Sequence, residues 1–182
     1  MRTFGWVFGA GWALFWLYWL VAAFSTKRGR VPWARELPIR AVLVVVVVAL
    51  VRLGAFRHNG ITSDPWRATA GLVLCGTGLG FATWARVHIG RNWGGPMTEK
   101  DDPELVTGGP YRLTRHPIYS GILLAGAGTA LGLNWRWLIA VALAATYFGY
   151  SATVEERYLT ERFPDAYPQY RRATKMFVPF VV

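Results

Sequence analysis

Two polar segments of the chain contain nearly all of the residues that could take part in catalysis. The first runs from residue 88 to residue 121, and the second from residue 155 to residue 182. The first includes the stretch Arg115-His116-Pro117-Ile118-Tyr119-Ser120-Gly121, and the second begins with Glu155-Glu156. Imidazole, phenol, guanidinium and carboxylate groups can hold charged ligands and exchange protons with them. These two segments therefore form the candidate catalytic region.

The spacing of residues 115–121 predicts that two side chains act together. Proline is well tolerated in the first turn of a helix, so we expect a helix to begin at Pro117 with His116 at its start. Tyr119 follows His116 by three residues, and side chains three apart share a helix face. The alternative is an interfacial anchor, because His, Tyr and Arg are all common at the level of the lipid headgroups.

The adjacent carboxylates Glu155 and Glu156 predict a second group of functional side chains. Neighbouring residues of a helix point about 100° apart, so the two should have different roles. We expect at least one to face a ligand pocket while the other pairs nearby or stays in water. A solvated helix face is the alternative, which Arg157, Glu161 and Arg162 would continue.

Long apolar stretches must position these polar segments. Of the 182 residues, 53% are hydrophobic, which exceeds the usual value for a soluble domain. A membrane-crossing helix needs about 20 mostly apolar residues. In lipid, backbone groups must pair internally, which favours helix for each span. We predict one all-α integral membrane domain over residues 1–182, with about five spans: Phe4–Phe24, Leu37–Leu53, Trp66–Val87, Ile118–Leu133 and Trp137–Val154.

Two of these stretches allow other interpretations, and small residues indicate how the spans pack. Phe4–Phe24 could be a signal peptide, although its apolar core is longer than usual. Val42–Leu50 could be a buried strand on propensity alone. Glycines four residues apart let helices approach closely in lipid, which predicts helix contacts at three pairs: Gly5/Gly9, Gly76/Gly80 and Gly128/Gly132.

The distribution of Lys and Arg predicts the orientation in the membrane. The net charge is +10, and fifteen of the twenty Lys and Arg residues lie on one side if the N-terminus is outside. The positive-inside rule then places the C-terminus and both polar segments on the cytoplasmic side of an inner or plasma membrane. This distribution explains the basic composition by contact with anionic membrane lipids, so no nucleic-acid partner is expected.

Other catalytic motifs are absent from the sequence. His58, His88 and His116 lie far apart without adjacent ligand motifs, so we expect no metal site. The chain contains no phosphate-binding loop and no Gly-x-Ser-x-Gly nucleophile motif. The single cysteine, Cys75, lies in an apolar stretch and is expected to pack rather than react.

Four stretches in the second half of the chain together resemble one family of membrane enzymes. Their order and spacing, over about residues 90–179, are similar to those of the isoprenylcysteine carboxyl methyltransferase family and its phospholipid methyltransferase relatives. The stretches are Gly90-Arg91-Asn92-Trp93, Leu105–Arg112, Arg115–Gly121, and Glu155–Leu159 followed by Phe163, Tyr167, Tyr170 and Pro179.

The resemblance implies an S-adenosylmethionine-dependent methyltransferase that acts on a lipophilic, isoprenoid or lipid-like acceptor. It implies a cytoplasmic cofactor pocket between the loop before the fourth span and the C-terminal segment. Aromatic faces and carboxylates attract a sulfonium cation, and methyl transfer requires alignment rather than a metal. The cofactor-binding residues that it implies are Leu105, Val106, Tyr111, His116, Tyr119 and Glu155. The catalytic residues that it implies are Arg115, Glu156 and Asn92.

Two departures from the family pattern leave the acceptor open. Carboxyl methyltransferases of this family usually have an arginine one helical turn before the paired glutamates, where this chain has Ser151. Pro164 replaces the usual glycine after Phe163. An isoprenylcysteine carboxylate, a phospholipid amine, a thiol and a phenolic lipid all remain possible acceptors. The alternatives to a methyltransferase are an NADPH-dependent sterol-type membrane reductase, which has a similar Arg-His-Pro-x-Tyr-x-Gly motif, and a non-enzymatic small membrane protein.

Overall fold

The computed structural model describes residues 2–27, 29–30 and 64–179, together with isolated residues between 37 and 52. Short 3-10 turns lie at Gly90–Asn92 and Gly109–Arg112. The two-residue strands β1 (Gly29–Arg30) and β2 (Glu99–Lys100) pair antiparallel. The helices are α1 (Arg2–Ala23), α2 (Pro65–Ile89), α3 (Pro117–Gly132), α4 (Trp137–Arg162) and α5 (Ala166–Ala173).

The helices confirm the predicted all-α membrane fold. Helices α1, α2 and α4 are long and apolar enough to cross a membrane, and α3 is a shorter apolar helix. Their bounds agree closely with four of the predicted spans, except that α4 continues beyond Val154 to Arg162. The predicted span Leu37–Leu53 lies largely outside the described residues. Because α4 is longer than predicted, Glu155 and Glu156 are held on a continuous helix.

The starts of α2 and α3 follow from local sequence. At the start of α2, the side chain of Asp64 accepts a hydrogen bond of 2.9 Å from the Trp66 amide, and Pro65 occupies the first turn. Pro117 opens α3 in the same way, as predicted, with His116 as the preceding cap residue. A side-chain cap and a first-turn proline are both strong signals for a helix start.

Helices α2 and α3 form the most extensive contact in the described part of the chain, and glycine makes it possible. A Cβ atom on Gly71 would collide with the backbone of Gly132, and one on Gly78 would collide with the backbone of Ala125. Gly128 is equally close to the backbone of Cys75. Each helix backbone therefore lies directly against the other, which in lipid provides van der Waals contact without a hydrophobic driving force.

The prediction from glycine spacing is right for one pair and wrong for another. Gly128 and Gly132 do contact neighbouring helices. A Cβ atom on Gly76 or Gly80 would meet nothing within 4 Å beyond its own helix, and the same holds for Gly9. The spacing rule selects glycines that share a helix face, but it does not say which face meets a neighbour. In α2 that face carries Gly71 and Gly78 instead.

Helix α1 packs with one face and leaves the other exposed. Phe8, Phe15 and Trp19 are buried, and the indole N–H of Trp12 donates to Thr129 Oγ1 of α3 at 3.0 Å. Trp6, Leu14 and Leu20 are each more than 60% exposed. An exposed apolar face of this size is expected where a helix meets lipid.

The C-terminal segment after α4 contains a short helix followed by an extended stretch. Helix α5 forms despite Pro168, which stands third in the helix, where its missing N–H is not needed. The strand-like segment that follows runs beside residues 114–116. The Arg115 and His116 amides donate to the carbonyls of Lys175 and Met176 at 2.8 and 3.1 Å.

Candidate active site

A cavity of about 380 Å³ lies where the end of α1, the loop before α3, helix α4 and helix α5 meet. Residues of both polar segments identified in the sequence, 88–121 and 155–182, contribute to its lining. Of the nine residues proposed from the sequence, all but Glu156 line it. The eight lining residues are Asn92, Leu105, Val106, Tyr111, Arg115, His116, Tyr119 and Glu155.

Glu155 is the carboxylate that faces the cavity. Its Oε1 accepts hydrogen bonds from the Tyr119 hydroxyl at 2.6 Å and from the Met97 amide at 2.9 Å. Met97 adopts a left-handed backbone with φ of 60°, which is uncommon for a residue other than glycine. In this conformation the Met97 amide reaches the Glu155 carboxylate. The carboxylate thus joins the loop before α3 to helices α3 and α4.

Glu156 points away from the cavity into a buried ionic cluster. It is 4% exposed, and its Oε1 accepts a hydrogen bond from Arg115 Nε at 2.6 Å. Its Oε2 lies 3.4 Å from Nε of Arg171, on α5. Arg115 also donates through Nη1 to the carbonyls of Arg171 and Thr174. These contacts connect the start of α3 to α4 and α5.

The His116 ring lies between the two glutamates. Its Nδ1 is 3.5 Å from Glu155 Oε2, and its Nε2 is 3.3 Å from Glu156 Oε1. Burial, the largest single influence, lowers the pKa of His116, but hydrogen bonds and charges from both glutamates outweigh it and raise the pKa above 6.5. The charged imidazolium is therefore favoured by carboxylates on both sides.

Three aromatic rings form a stack beside the cavity, and a fourth packs against it at a tilt. The rings of His116 and Tyr119 are nearly parallel, with centroids 5.5 Å apart, which confirms the predicted shared face. Tyr119 stacks on Phe148 of α4 with centroids 4.3 Å apart, and the Phe177 ring is tilted by 43° against that of His116. The stack fixes the orientation of the imidazole and the phenol relative to α4.

The loop over the cavity is tied to the end of α1. The Lys27 side chain forms an ion pair with Glu104 at 2.6 Å, and Asn92 Nδ2 donates to Glu104 at 3.2 Å. Hydrogen bonding to Lys27 and Asn92 lowers the pKa of Glu104. Strands β1 and β2 lie in the same region, and Lys100 Nζ donates to the Lys27 carbonyl at 2.7 Å. The segment after α1 therefore holds this loop in place.

Several residues that line the cavity were not predicted as site residues. Trp16 and Trp19 come from α1, and Ile122 and Phe148 come from α3 and α4. Their apolar character is typical of any membrane helix, so the sequence carries no signal that separates them from lipid-facing residues. Tyr158 does carry one, because it follows Glu155 by three residues and so shares its helix face.

Ser151, the departure from the family pattern, lies outside the cavity lining. It is fully buried, and its hydroxyl donates to the Tyr147 carbonyl of its own helix at 2.9 Å. Its small side chain fits this fully buried position. Arg157, which directly follows the paired glutamates, is exposed.

A family comparison agrees with this geometry. The family model described as phospholipid methyltransferase matches residues 66–166, more than half of the chain. The chain belongs to the phospholipid methyltransferase family. This confirms the resemblance, and the match includes nearly all of α2, the loop after it, and all of α3 and α4.

Individual relatives have two kinds of names. The cobalt-zinc-cadmium resistance protein CzcN of Cupriavidus metallidurans is 34% identical over 76% of this chain and 61% of that protein. The protein-S-isoprenylcysteine O-methyltransferase of Schizosaccharomyces pombe is 30% identical over 74% of this chain and 58% of that protein. A probable protein-S-isoprenylcysteine O-methyltransferase of Oryza sativa subsp. indica is 28% identical, with 99% of this chain and 98% of that protein aligned. The chain thus spans about three-fifths of the length of the first two relatives.

Proposed function

We propose that the chain transfers a methyl group from S-adenosylmethionine to a lipophilic acceptor that reaches the cavity from the membrane. The observation that carries this proposal is the composition of the cavity lining. Glu155, His116 and Tyr119 belong to its polar part, while Trp19, Ile122 and other side chains of the spans belong to its apolar part. One cavity can therefore accept a charged cofactor and an apolar chain together.

Two unpaired polar atoms support a polar ligand in this cavity. Among the described residues, Asn92 Oδ1 and the Tyr167 hydroxyl are buried without a hydrogen-bond partner, and both residues line the cavity. A buried polar group without a partner costs free energy. A rotation of these side chains toward the cavity would let a ligand with N–H and hydroxyl groups, such as the amino acid and nucleoside parts of S-adenosylmethionine, pair with them.

The described side chains suit the chemistry of methyl transfer. S-adenosylmethionine supplies an electrophilic methyl group on a sulfonium cation. Glu155 and the aromatic rings of Tyr111 and Tyr119 would attract this cation, and the loop tied down by Lys27 would exclude water. Alignment of two reactants in a closed site lowers the barrier without a metal.

The binding preference of the purified protein tests this proposal. We expect calorimetric titration to detect S-adenosylhomocysteine and not NADPH. Tight binding of NADPH alone would favour a reductase, and binding of neither compound would favour a non-enzymatic membrane protein. A methyl-transfer assay with N-acetyl-S-farnesylcysteine and with farnesylthiol then tests which chemical class of acceptor is used.

A further inference from the structure

The Glu155–His116–Glu156 arrangement joins the cavity to the protein surface. Glu155 lines the cavity, His116 is 7% exposed, and Glu156 is 4% exposed and does not line it. Beyond Glu156 lies Arg171, whose side chain is 58% exposed. A line of titratable groups therefore runs from the reaction space to the buried Glu156, which contacts the exposed Arg171.

We infer that Glu155, His116 and Glu156 form a proton relay that removes the proton released by an O–H, S–H or N–H acceptor. This inference rests on the proposed methyl transfer and narrows its acceptor to groups that carry a proton at neutral pH. The supporting geometry is the contact of each ring nitrogen with a different carboxylate, at 3.5 and 3.3 Å.

The relay balances the methyl-transfer reaction. The acceptor's X–H bond breaks and its proton passes to Glu155, while the X electron pair forms the new bond to the methyl carbon. The carbon–sulfur bond breaks with its electron pair left on sulfur, so the sulfonium becomes a neutral thioether. In the neutral ring, Nδ1 of His116 then takes the proton from Glu155 as Nε2 gives its own to Glu156. Glu156 releases it to water beside Arg171.

Several charged and titratable groups face this relay. Glu155 and Glu156 contact His116 from α4, and Tyr119 from α3 donates to Glu155. Arg115 and Arg171 face Glu156. Burial and, to a lesser extent, the charge of Glu156 raise the pKa of Tyr167 and Tyr170 on α5. Burial lowers the pKa of His116, but hydrogen bonds and charges from both glutamates outweigh it and raise the pKa, so the neutral ring through which the relay works becomes more populated as pH rises.

Glu156→Gln is the decisive variant because it keeps the side-chain shape outside the cavity and removes the carboxylate that receives the proton. We expect calorimetry to show nearly unchanged affinity for S-adenosylhomocysteine. We expect methylation of farnesylthiol to slow by about 10²-fold at neutral pH, the lower range of proton-transfer catalysis. The defect should shrink as pH rises and the thiol ionises before binding.

N-acetyl-S-farnesylcysteine is the matched acceptor, because its carboxylate is already ionised and releases no proton. Its methylation by Glu156→Gln should slow much less than that of farnesylthiol, because no proton has to be removed from this acceptor. In D₂O, the wild type should slow with the thiol and not with the carboxylate. This wild-type measurement also covers the case in which the variant does not fold.

Three outcomes would overturn the relay. The first is an equal loss of S-adenosylhomocysteine affinity and thiol methylation in Glu156→Gln, which would indicate a structural role. The second is a wild-type thiol rate that is unaffected by D₂O, and the third is efficient use of the carboxylate with no use of the thiol. Failure of the wild type to bind S-adenosylhomocysteine would instead overturn the proposed function, and the relay with it.

Discussion

At the residue scale, the two adjacent glutamates show how one helix can serve two different environments. Glu155 faces the cavity and accepts from Tyr119 and Met97, whereas Glu156 is buried beside Arg115. Their side chains point apart, as expected of neighbours on a helix. Even so, both contact His116, because its ring lies in the angle between them. Substitutions at the two positions should therefore have different effects.

Glu155→Gln should weaken S-adenosylhomocysteine binding because it removes the carboxylate charge from the cavity. A hydrogen bond to a charged group contributes about 1.5–3 kcal/mol. Its loss corresponds to a reduction in affinity of about 10- to 150-fold, measured by calorimetric titration. Glu161→Gln is the matched control, since Glu161 is exposed on the same helix. Wild-type affinity in the Glu155 variant would show that this carboxylate does not contact the cofactor.

The raised pKa of His116 predicts a pH dependence of stability. Its folded-state pKa lies above its unfolded value of 6.5, so the imidazolium stabilises the fold fully below that pH. This contribution is lost as pH rises through the folded-state pKa. His116→Gln should therefore lower Tm more at about pH 6 than at alkaline pH, because this contribution decreases as pH rises through the folded-state pKa. An equal Tm difference at both pH values would contradict the charged pairing.

At the element scale, the backbone contact between α2 and α3 holds the start of α3, and with it His116, in position. Pro117 opens α3 beside His116, and the same helix packs along α2 through Gly121 and Gly128. A displacement of α3 would move the imidazole away from both glutamates. The glycines of this interface are therefore distant from the chemistry and yet hold it in place.

Gly78→Ala should destabilise the protein because the new methyl group would meet the backbone around Ala125. Overpacking of this kind costs about 1–3 kcal/mol. Gly76→Ala is the control, since open space surrounds that position. It should be neutral or stabilise by up to about 1 kcal/mol, because alanine is the better helix residue. Thermal unfolding in detergent would measure both, and equal Tm values would argue against the contact.

Much of the site could be predicted from short-range sequence patterns, but its long-range pairings could not. The proline at 117 and the three-residue step to Tyr119 define a local face, so the His116–Tyr119 pair was predictable. The contact of Arg115 with Glu156 depends on how α3 and α4 cross, which no local pattern encodes. The same is true of Gly71 and Gly78, whose importance depends on the helix face that meets α3.

At the scale of the whole molecule, the exposed and buried surfaces fit a protein in a bilayer. The outward faces of α1 and α4 are strongly apolar, while ionic contacts gather around the cavity at one end of the helices. The basic residues predicted to be cytoplasmic include Arg157, Arg162 and Arg172, all exposed near this end. We therefore expect the cavity to open on the cytoplasmic side.

Reporter fusions at the two ends of the chain test this orientation. The bias of Lys and Arg predicts an external N-terminus and a cytoplasmic C-terminus. A reporter active only outside the cytoplasm should give a signal at the N-terminal fusion alone. A fusion at the exposed loop residue Asp101, beside the cavity, should behave like the C-terminal one. Cytoplasmic signals at both termini would remove one span from the predicted topology.

The pairing of residues 174–177 with the start of α3 has a consequence for biosynthesis. The carbonyls of Lys175, Met176 and Phe177 accept hydrogen bonds from the Arg115 amide, the His116 amide and the Ser120 hydroxyl. A segment that is translated late therefore completes the wall of the cavity that residues some 60 positions earlier begin. A nascent chain halted at residue 173 would insert its spans but would lack this wall. Cofactor capture should therefore follow translation of the tail, which ribosome-bound chains of increasing length would reveal.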